Sequence, residues 1–496
     1  IGDYAFKSCS QLSSITLPSS ITTIGKDAFG GLPANSIIYY TGSNRPSTYD
    51  SSKTAVAKEN EDGSYTFFSE VPTLTFSDKN APKKDGYNGW FDFDGTPVLS
   101  ISKDTNYAAG KRPLYTTSSG HGISWTNQYA LPSTAGNYIL DTDVTLSNSW
   151  TVPAGETLLD LNGHVLKYQP SSSFGMASYP WAVLIDKNSI LTLLDKKSGG
   201  KISGDKGCWG ICVVGNLVMD GGTISDFTQA VMILSGGRFT MNSGNITNNP
   251  AAGTASSGEQ NILYNAGTFI MNGGDISGNT VINDAIIYNT GRFEMNGGDI
   301  SGNTVINNAV IHNAGWFEMT GGNITNNKAK SSLFGFAVSY SSTIRNTGTF
   351  IMSGGKISNN EASGNGGGLH VDVTGVAELK GDAKITGNTA NYGGGIFINA
   401  DSTGKFGRLT LSGAVEISGN TAAKYGGGID AGGVSQSLSL TINDNVKITD
   451  NTAKKGAGVY LSSVTLCMNG GTISGNHDDN LDVGSGNVEL KPGASI

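Results

Sequence analysis

In the second half of the chain, apolar residues return at intervals of two, separated by glycine and asparagine. Phe269 and Met271 are followed by Gly273-Gly274, then Ile276, then Asn279. The phrase recurs 24 residues on at Phe293, Met295, Ile300 and Asn303, and again at Phe317, Met319, Ile324 and Asn327. Self-similarity at such a period predicts a solenoid. Phe293 and Met295 are two apart, so in a strand both point one way, into a core, and Glu294 points out. Gly297-Gly298 turns the chain, since glycine permits positive φ. Ile300 is the next inward residue, and Asn303 is expected to end that strand in a left-handed turn conformation.

The repeat isoleucine marks the rungs: Ile202, Ile224, Ile246, Ile276, Ile300, Ile324, Ile357, Ile385, Ile417, Ile448 and Ile473. A coil of about 22 residues holds three short strands and their turns, and longer steps carry inserted loops, which gather on one face in repeat proteins. Eleven coils at about 4.8 Å give a rod of roughly 50 Å. Parallel stacking puts equivalent residues over one another. It predicts a phenylalanine ladder (Phe269, Phe293, Phe317, Phe350), a methionine ladder (Met271, Met295, Met319, Met352) and an amide ladder at a corner (Asn265, Asn289, Asn313, Asn346). These read as structure, not as a cofactor site.

Two further patterns carry resemblances. The stretch Gly136-Asn137-Tyr138 … Leu159-Asp160-Leu161-Asn162-Gly163-His164 resembles the opening turn of parallel β-helix domains on Gram-positive gut and oral bacteria, which makes His164 a turn residue. The three-glycine corners Gly366–Gly368, Gly393–Gly395 and Gly426–Gly428 resemble those of polymorphic, pectin-lyase-like surface proteins. They are not phosphate loops, because no helical period follows. The resemblance, with the rule for parallel crossovers, implies a right-handed parallel β-helix over residues 131–496.

The N-terminus repeats differently. Ile1-Gly2-x-x-Ala5-Phe6 returns as Ile24-Gly25-x-x-Ala28-Phe29, with Leu12-x-x-Ile15-x-Leu17-Pro18 between. This phrase, over residues 1 to about 33, resembles the BspA-type leucine-rich repeat of bacterial surface proteins and assigns 1–45 to a fragment of one. At least about three such repeats are needed to bury a core, so more are expected before Ile1. The chain begins inside a repeat and stops abruptly at Ile496, and therefore reads as a piece of a longer protein. Residues 46–130 show no repeat. Runs at Ser64–Phe68 and Thr73–Phe76 predict strands of a small β-rich connector or cap. The fold class expected is all-β.

Composition changes this picture little. Glycine is frequent at 71 of 496 residues, charged residues are 15 %, and the net charge is −8. No basic stripe exists for a phosphate backbone, which argues against nucleic acid. No apolar run reaches the 18 or so residues of a membrane span. No signal peptide or C-terminal anchor motif is visible. Four cysteines are too few for a disulfide framework. Cys208 and Cys212 share a face if their segment is a strand, and suit a structural role or a local disulfide. No cofactor is expected. Calcium is the one metal considered, at Asp92 and Asp94 or at Asp478-Asp479-Asn480-Leu481-Asp482, but two carboxylates fall short of six to eight oxygens.

Chemistry is left to outward positions. One ladder reads Arg238, Thr268, Arg292, Trp316, Thr349; the next holds Glu294 and Glu318. A third, one strand earlier, reads Tyr264, Tyr288, His312, Arg345. Trp316 offers a flat face to a sugar ring, with Arg292, Tyr288, His312 and Arg345 nearby. Glu294 and Glu318 are the candidate catalytic pair, since adjacent rungs lie about 4.8 Å apart, near the carboxyl spacing of retaining glycosidases. Alternatively the face is merely solvated: Arg292 pairs with Glu294 or Glu318, Trp316 covers Arg292, and the tyrosines stack. The favoured reading is an extracellular adhesin, on the cell surface or secreted, binding host or environmental glycans or proteins. The alternatives are a polysaccharide lyase or glycoside hydrolase, whose groove would lie on the inserted coils between Ile324 and Ile448, and a stalk without its own ligand. The oligomeric state is open.

Overall fold

The computed structural model describes residues 123–496 except 171–180, 206, 251–260, 332–340, 401–404, 433–437 and 463. Of the first 122 residues it describes positions 2, 5, 6 and 9 and the backbone of six short strands. The chain divides into two compact units, Ile1–Ile123 and Ser124–Ile496. The expected boundary at 45/46 falls inside the first unit, and that at 130/131 lies close to the division. No helix occurs among the described residues.

In the first unit, strand Ser14–Leu17 pairs in parallel with Ile37–Tyr40, Ser14 opposite Ile37. That offset of 23 residues is the period read from the N-terminal repeat. Ile37–Tyr40 pairs in parallel with Ala57–Glu59, which pairs antiparallel with Tyr65–Phe67, inside the strand expected at 64–68. The strand expected at 73–76 lies outside the described residues, as do Asp92 and Asp94.

The second unit is a parallel β-helix. One sheet has 13 strands, from Trp150–Thr151 to Leu481–Val483, one per coil. Twelve spacings of about 4.8 Å make it roughly 58 Å long. A 26-stranded sheet carries two further strands of each coil, and a 6-stranded sheet runs over the middle coils. The 6-stranded sheet was not expected. Two residues beyond a 22-residue coil suffice to convert a turn into the strand Thr280–Ile282, then Thr304–Ile306 and Lys328–Lys330. Each turns one residue inward, Val281, Val305 or Ala329. A single inward residue leaves no period-two pattern to read.

The predicted ladders form in register. Phe239, Phe269, Phe293, Phe317 and Phe350 are fully buried, with ring centroids 4.3–5.1 Å apart. The methionine and isoleucine ladders beside them are also buried. Asn265, Asn289, Asn313 and Asn346 pass hydrogen bonds along the corner, each amide donating to the next at 2.7 Å.

A second amide ladder is longer and corrects the reading of Asn303. Asn249, Asn279, Asn303, Asn327, Asn360, Asn388, Asn420, Asn451 and Asn476 stack through nine coils. None has positive φ; the residue before each does. Those preceding residues are Asn248, Gly278, Gly302, Asn326, Asn359, Gly387, Gly419, Asp450 and Gly475, the types that tolerate the left-handed region. The ladder asparagine has another task. In Asn303, the backbone N–H and the side-chain amide both donate to Asn327 Oδ1, and the amide also donates to the Ile276 carbonyl of the coil below. One buried side chain thus satisfies groups on three coils.

Asn303→Ala removes those bonds and leaves buried partners unpaired, each costing about 1–3 kcal/mol. Stability should fall by about 2–4 kcal/mol. The exposed Asn323→Ala, which loses one bond to Asp299, should change it by under about 0.5 kcal/mol. Urea midpoints of the two variants check this.

Candidate functional site

The register confirms which side chains point outward together. Arg292 stacks on Trp316 and Glu294 on Glu318 in the 26-stranded sheet. Tyr264, Tyr288, His312 and Arg345 stack in the 13-stranded sheet. The two groups therefore occupy different sheets, with the Asn289 corner between them, and do not form one cluster.

The first group is largely self-satisfied. Arg292 Nε donates to Glu294 Oε1, and its Nη2 lies 3.8 Å from Glu318 Oε2. The guanidinium carbon sits 3.7 Å from the centre of the Trp316 ring, a contact of about 0.5–1 kcal/mol at an exposed site. One cation thus bridges both carboxylates and covers a face of the indole. Glu294 and Glu318 are adjacent rungs, as expected, but each faces Arg292.

The second group belongs to an outward ladder that runs the length of the sheet. From Leu184 it passes Cys212, Met232, Tyr264, Tyr288, His312, Arg345, His370, Phe397, Asp430 and Tyr460 to Asp482. Tyr288 stacks on His312 at 4.8 Å, and Tyr264 meets Tyr288 edge-on at 5.8 Å. Arg345 turns aside to Asp372, donating from Nε and Nη2 to Oδ2 at 2.9 and 2.7 Å. Asn399 donates to the other Asp372 oxygen at 2.8 Å.

Sequence reasoning followed this ladder only to Arg345. Beyond it the spacing changes with the three-glycine corners, so His370 and Asp430 went unnoticed. A constant offset from the buried aliphatic residue of the same strand would have found them: His370 follows Leu369, and Asp430 follows Ile429. Both are buried, at 0 % and 2 % exposure. Among the described residues neither ring nitrogen of His370 has a hydrogen-bond partner, and the ring meets Phe397 edge-on at 5.1 Å.

Burial sets the protonation of these groups. It pushes His312 down to about 4, helped by the Arg345 charge, and His370 to about 4 as well. Desolvation alone raises Asp430 to about 8. Burial also opposes charge on Asp372, but His370, Asn399, the Val373 N–H and Arg345 outweigh it and hold that carboxyl at about 2. At neutral pH the ladder therefore presents neutral imidazoles and a neutral carboxylic acid, with its one cation already paired.

Other candidates are spent elsewhere. His164 bonds Asp143 at 3.2 Å beside the Asn162-Gly163 turn, consistent with a turn residue. Cys208 and Cys212 are both free. Cys208 packs into the core while Cys212 lies in the outward ladder, so they do not share a face and no local disulfide forms. Asp479 accepts the Ala457 N–H at 2.7 Å. Among the described residues no group of three or more His, Cys, Asp or Glu side chains is placed to hold a metal. No helix of the described residues is long and apolar enough to cross a membrane.

The folded-state values give a pH signature. His312 and His370 lie below the ordinary 6.5, so they add stability above that pH, and it is lost as pH falls toward 4. Asp430 lies above the ordinary 3.8, so its contribution is full below that pH and lost as pH rises through about 8. Thermal melts of Asp430→Asn should exceed the parent at pH 8 and match it near pH 4. His370→Gln should flatten the loss of stability between pH 6.5 and 4.

Residues 1–50 match a family model described as "BspA type Leucine rich repeat region (6 copies)". Searches of curated proteins and of solved structures return no match to the chain. The N-terminal phrase, its 23-residue strand offset and this match agree: residues 1–50 are a BspA-type leucine-rich repeat region, carried on the same chain as a parallel β-helix.

Proposed function

We propose that this is an adhesin-like protein of the bacterial surface or its surroundings, binding a glycan or protein ligand on the outward ladder of the 13-stranded sheet. The observation that carries the reading is the pairing of a BspA-type repeat region, a type common among surface and adhesion-related proteins, with a regular solenoid. Regular rungs give a long lateral face, suited to an extended ligand.

Of the side chains singled out from sequence, Tyr288, His312 and Arg345 lie on that face. Stacked rings offer a sugar or a peptide a flat apolar surface with polar edges. Arg292, Trp316, Glu294 and Glu318 are the weaker choice, since a ligand there first breaks their mutual pairing. The same pairing speaks against a glycosidase built on the two glutamates, since Arg292 occupies both carboxylates that such an enzyme would turn to the sugar.

A glycan and mucin array read for both retained protein and released product tests this. Retention without product is expected. Tyr288→Ala should weaken retention about tenfold or more, and Trp316→Ala by less than about threefold. Product release would move the reading to a carbohydrate-active enzyme. Selective loss in Trp316→Ala would move the ligand to the Arg292 face.

A further inference from the structure

The ladder holds two buried polar groups, His370 and Asp430. His370 is fully buried, with both nitrogens unpartnered among the described residues. Two rungs on, the Asp430 carboxyl is 2 % exposed, and burial alone keeps it protonated at neutral pH. Leaving the buried His370 ring without a partner costs about 1–3 kcal/mol. An apolar side chain would stack in that position without the cost, as Phe397 does on the next rung.

Beside this pair runs an aromatic row. Tyr392, Tyr425 and Tyr460 are half-buried, with centroids 5.7 and then 4.7 Å apart, and the Tyr425 and Tyr460 rings lie within 20° of parallel. The row reaches Asp430 through the glycine corner. A Cβ on Gly426 would stand 2.5 Å from Asp430 Cα and Cβ, so only glycine lets Tyr425 come this near. Asp430 is the in-register partner of Tyr460 on the next rung, which places that ring beside it too. Lys424 is held on Tyr392, bonding its hydroxyl at 2.8 Å.

We propose that the outward face from His370 to Tyr460 binds an uncharged saccharide, with Tyr425 and Tyr460 as the stacking platform and His370 and Asp430 as its hydrogen-bonding pair. This rests on the reading of the protein as a glycan binder and names the ligand class and subsite. The chemistry selects the class. A neutral imidazole donates one hydrogen bond and accepts one, and a protonated carboxyl does both. Sugar hydroxyls match that pattern. A carboxylate or sulfate ligand would find no free cation in the pair and would be desolvated against it. The parallel Tyr425 and Tyr460 rings give the flat apolar surface that a pyranose face covers. Phe397, half-buried between the polar groups, is the side chain that turns aside to admit a hydroxyl.

Titration of the whole chain with neutral hexose and N-acetylhexosamine oligomers, and with uronate and sulfated oligomers, tests the proposal. The neutral oligomers should bind. Tyr425→Ala, an outward change, and His370→Leu should each weaken them about tenfold or more, while Trp316→Ala leaves them within about twofold. Circular dichroism melts that match the parent exclude misfolding, and Tyr425→Ala keeps the test decisive if His370→Leu fails to fold. Neutral binding lost in Tyr288→Ala but kept in Tyr425→Ala and His370→Leu would overturn this subsite and leave the adhesin reading standing. Preference for the charged oligomers would overturn the ligand class. Silence on every oligomer would overturn the subsite and glycan binding together, leaving a protein ligand.

Discussion

The buried asparagine ladder is the interaction on which the β-helix depends. A parallel solenoid repeats its strands in register, so its strand backbone is satisfied by the coils above and below. Corners are the difficulty, because there the chain bends and its N–H and C=O groups leave the strand ladder. From Asn249 to Asn476 a single amide closes each corner, taking a neighbour's N–H and side chain and giving to an isoleucine carbonyl. With the corners held by these bonds, the phenylalanine and methionine columns stack in register in the core. The outward ladders are aligned as a by-product, so side chains from successive coils meet on one face.

Much of this was legible in the sequence, because a one-dimensional repeat writes its contacts at constant offsets. Phe293, Met295 and Ile300 fall where the period-two reading puts them, and the corner ladder from Asn265 bonds as expected. Three features were not legible, each for a definable reason. The 6-stranded sheet has one inward residue per strand, too few for a pattern. Asn303 was given the left-handed conformation belonging to Gly302, because asparagine is favoured in turns for two different properties, its backbone tolerance and its amide. The partition of Arg292 and Tyr288 onto separate faces follows from the corner between them, which a list of adjacent coils does not show.

The candidate site was legible only as far as the repeat stayed regular. Tyr264, Tyr288 and His312 lie 24 residues apart, and Arg345 follows after one inserted coil of 33, where the Asn-Thr-Gly phrase still marks the corner. Past Arg345 the corner changes to three glycines, and the ladder continues through His370, Phe397 and Asp430 at spacings no fixed period predicts. The ladder changes chemistry there as well. Its earlier rungs are rings that stack on each other, and its later ones include polar groups kept neutral by burial.

The near-identity of the coils at Phe269, Phe293 and Phe317 has a genetic consequence. A 24-residue unit that satisfies its neighbours above and below through the same bonds is interchangeable with a copy of itself. Unequal recombination within this tract would insert or delete whole rungs while keeping every corner closed. Each event would slide the His370–Tyr460 face by about 4.8 Å relative to the coils before it. Reach is thereby a heritable variable, adjustable in steps without the core being redesigned.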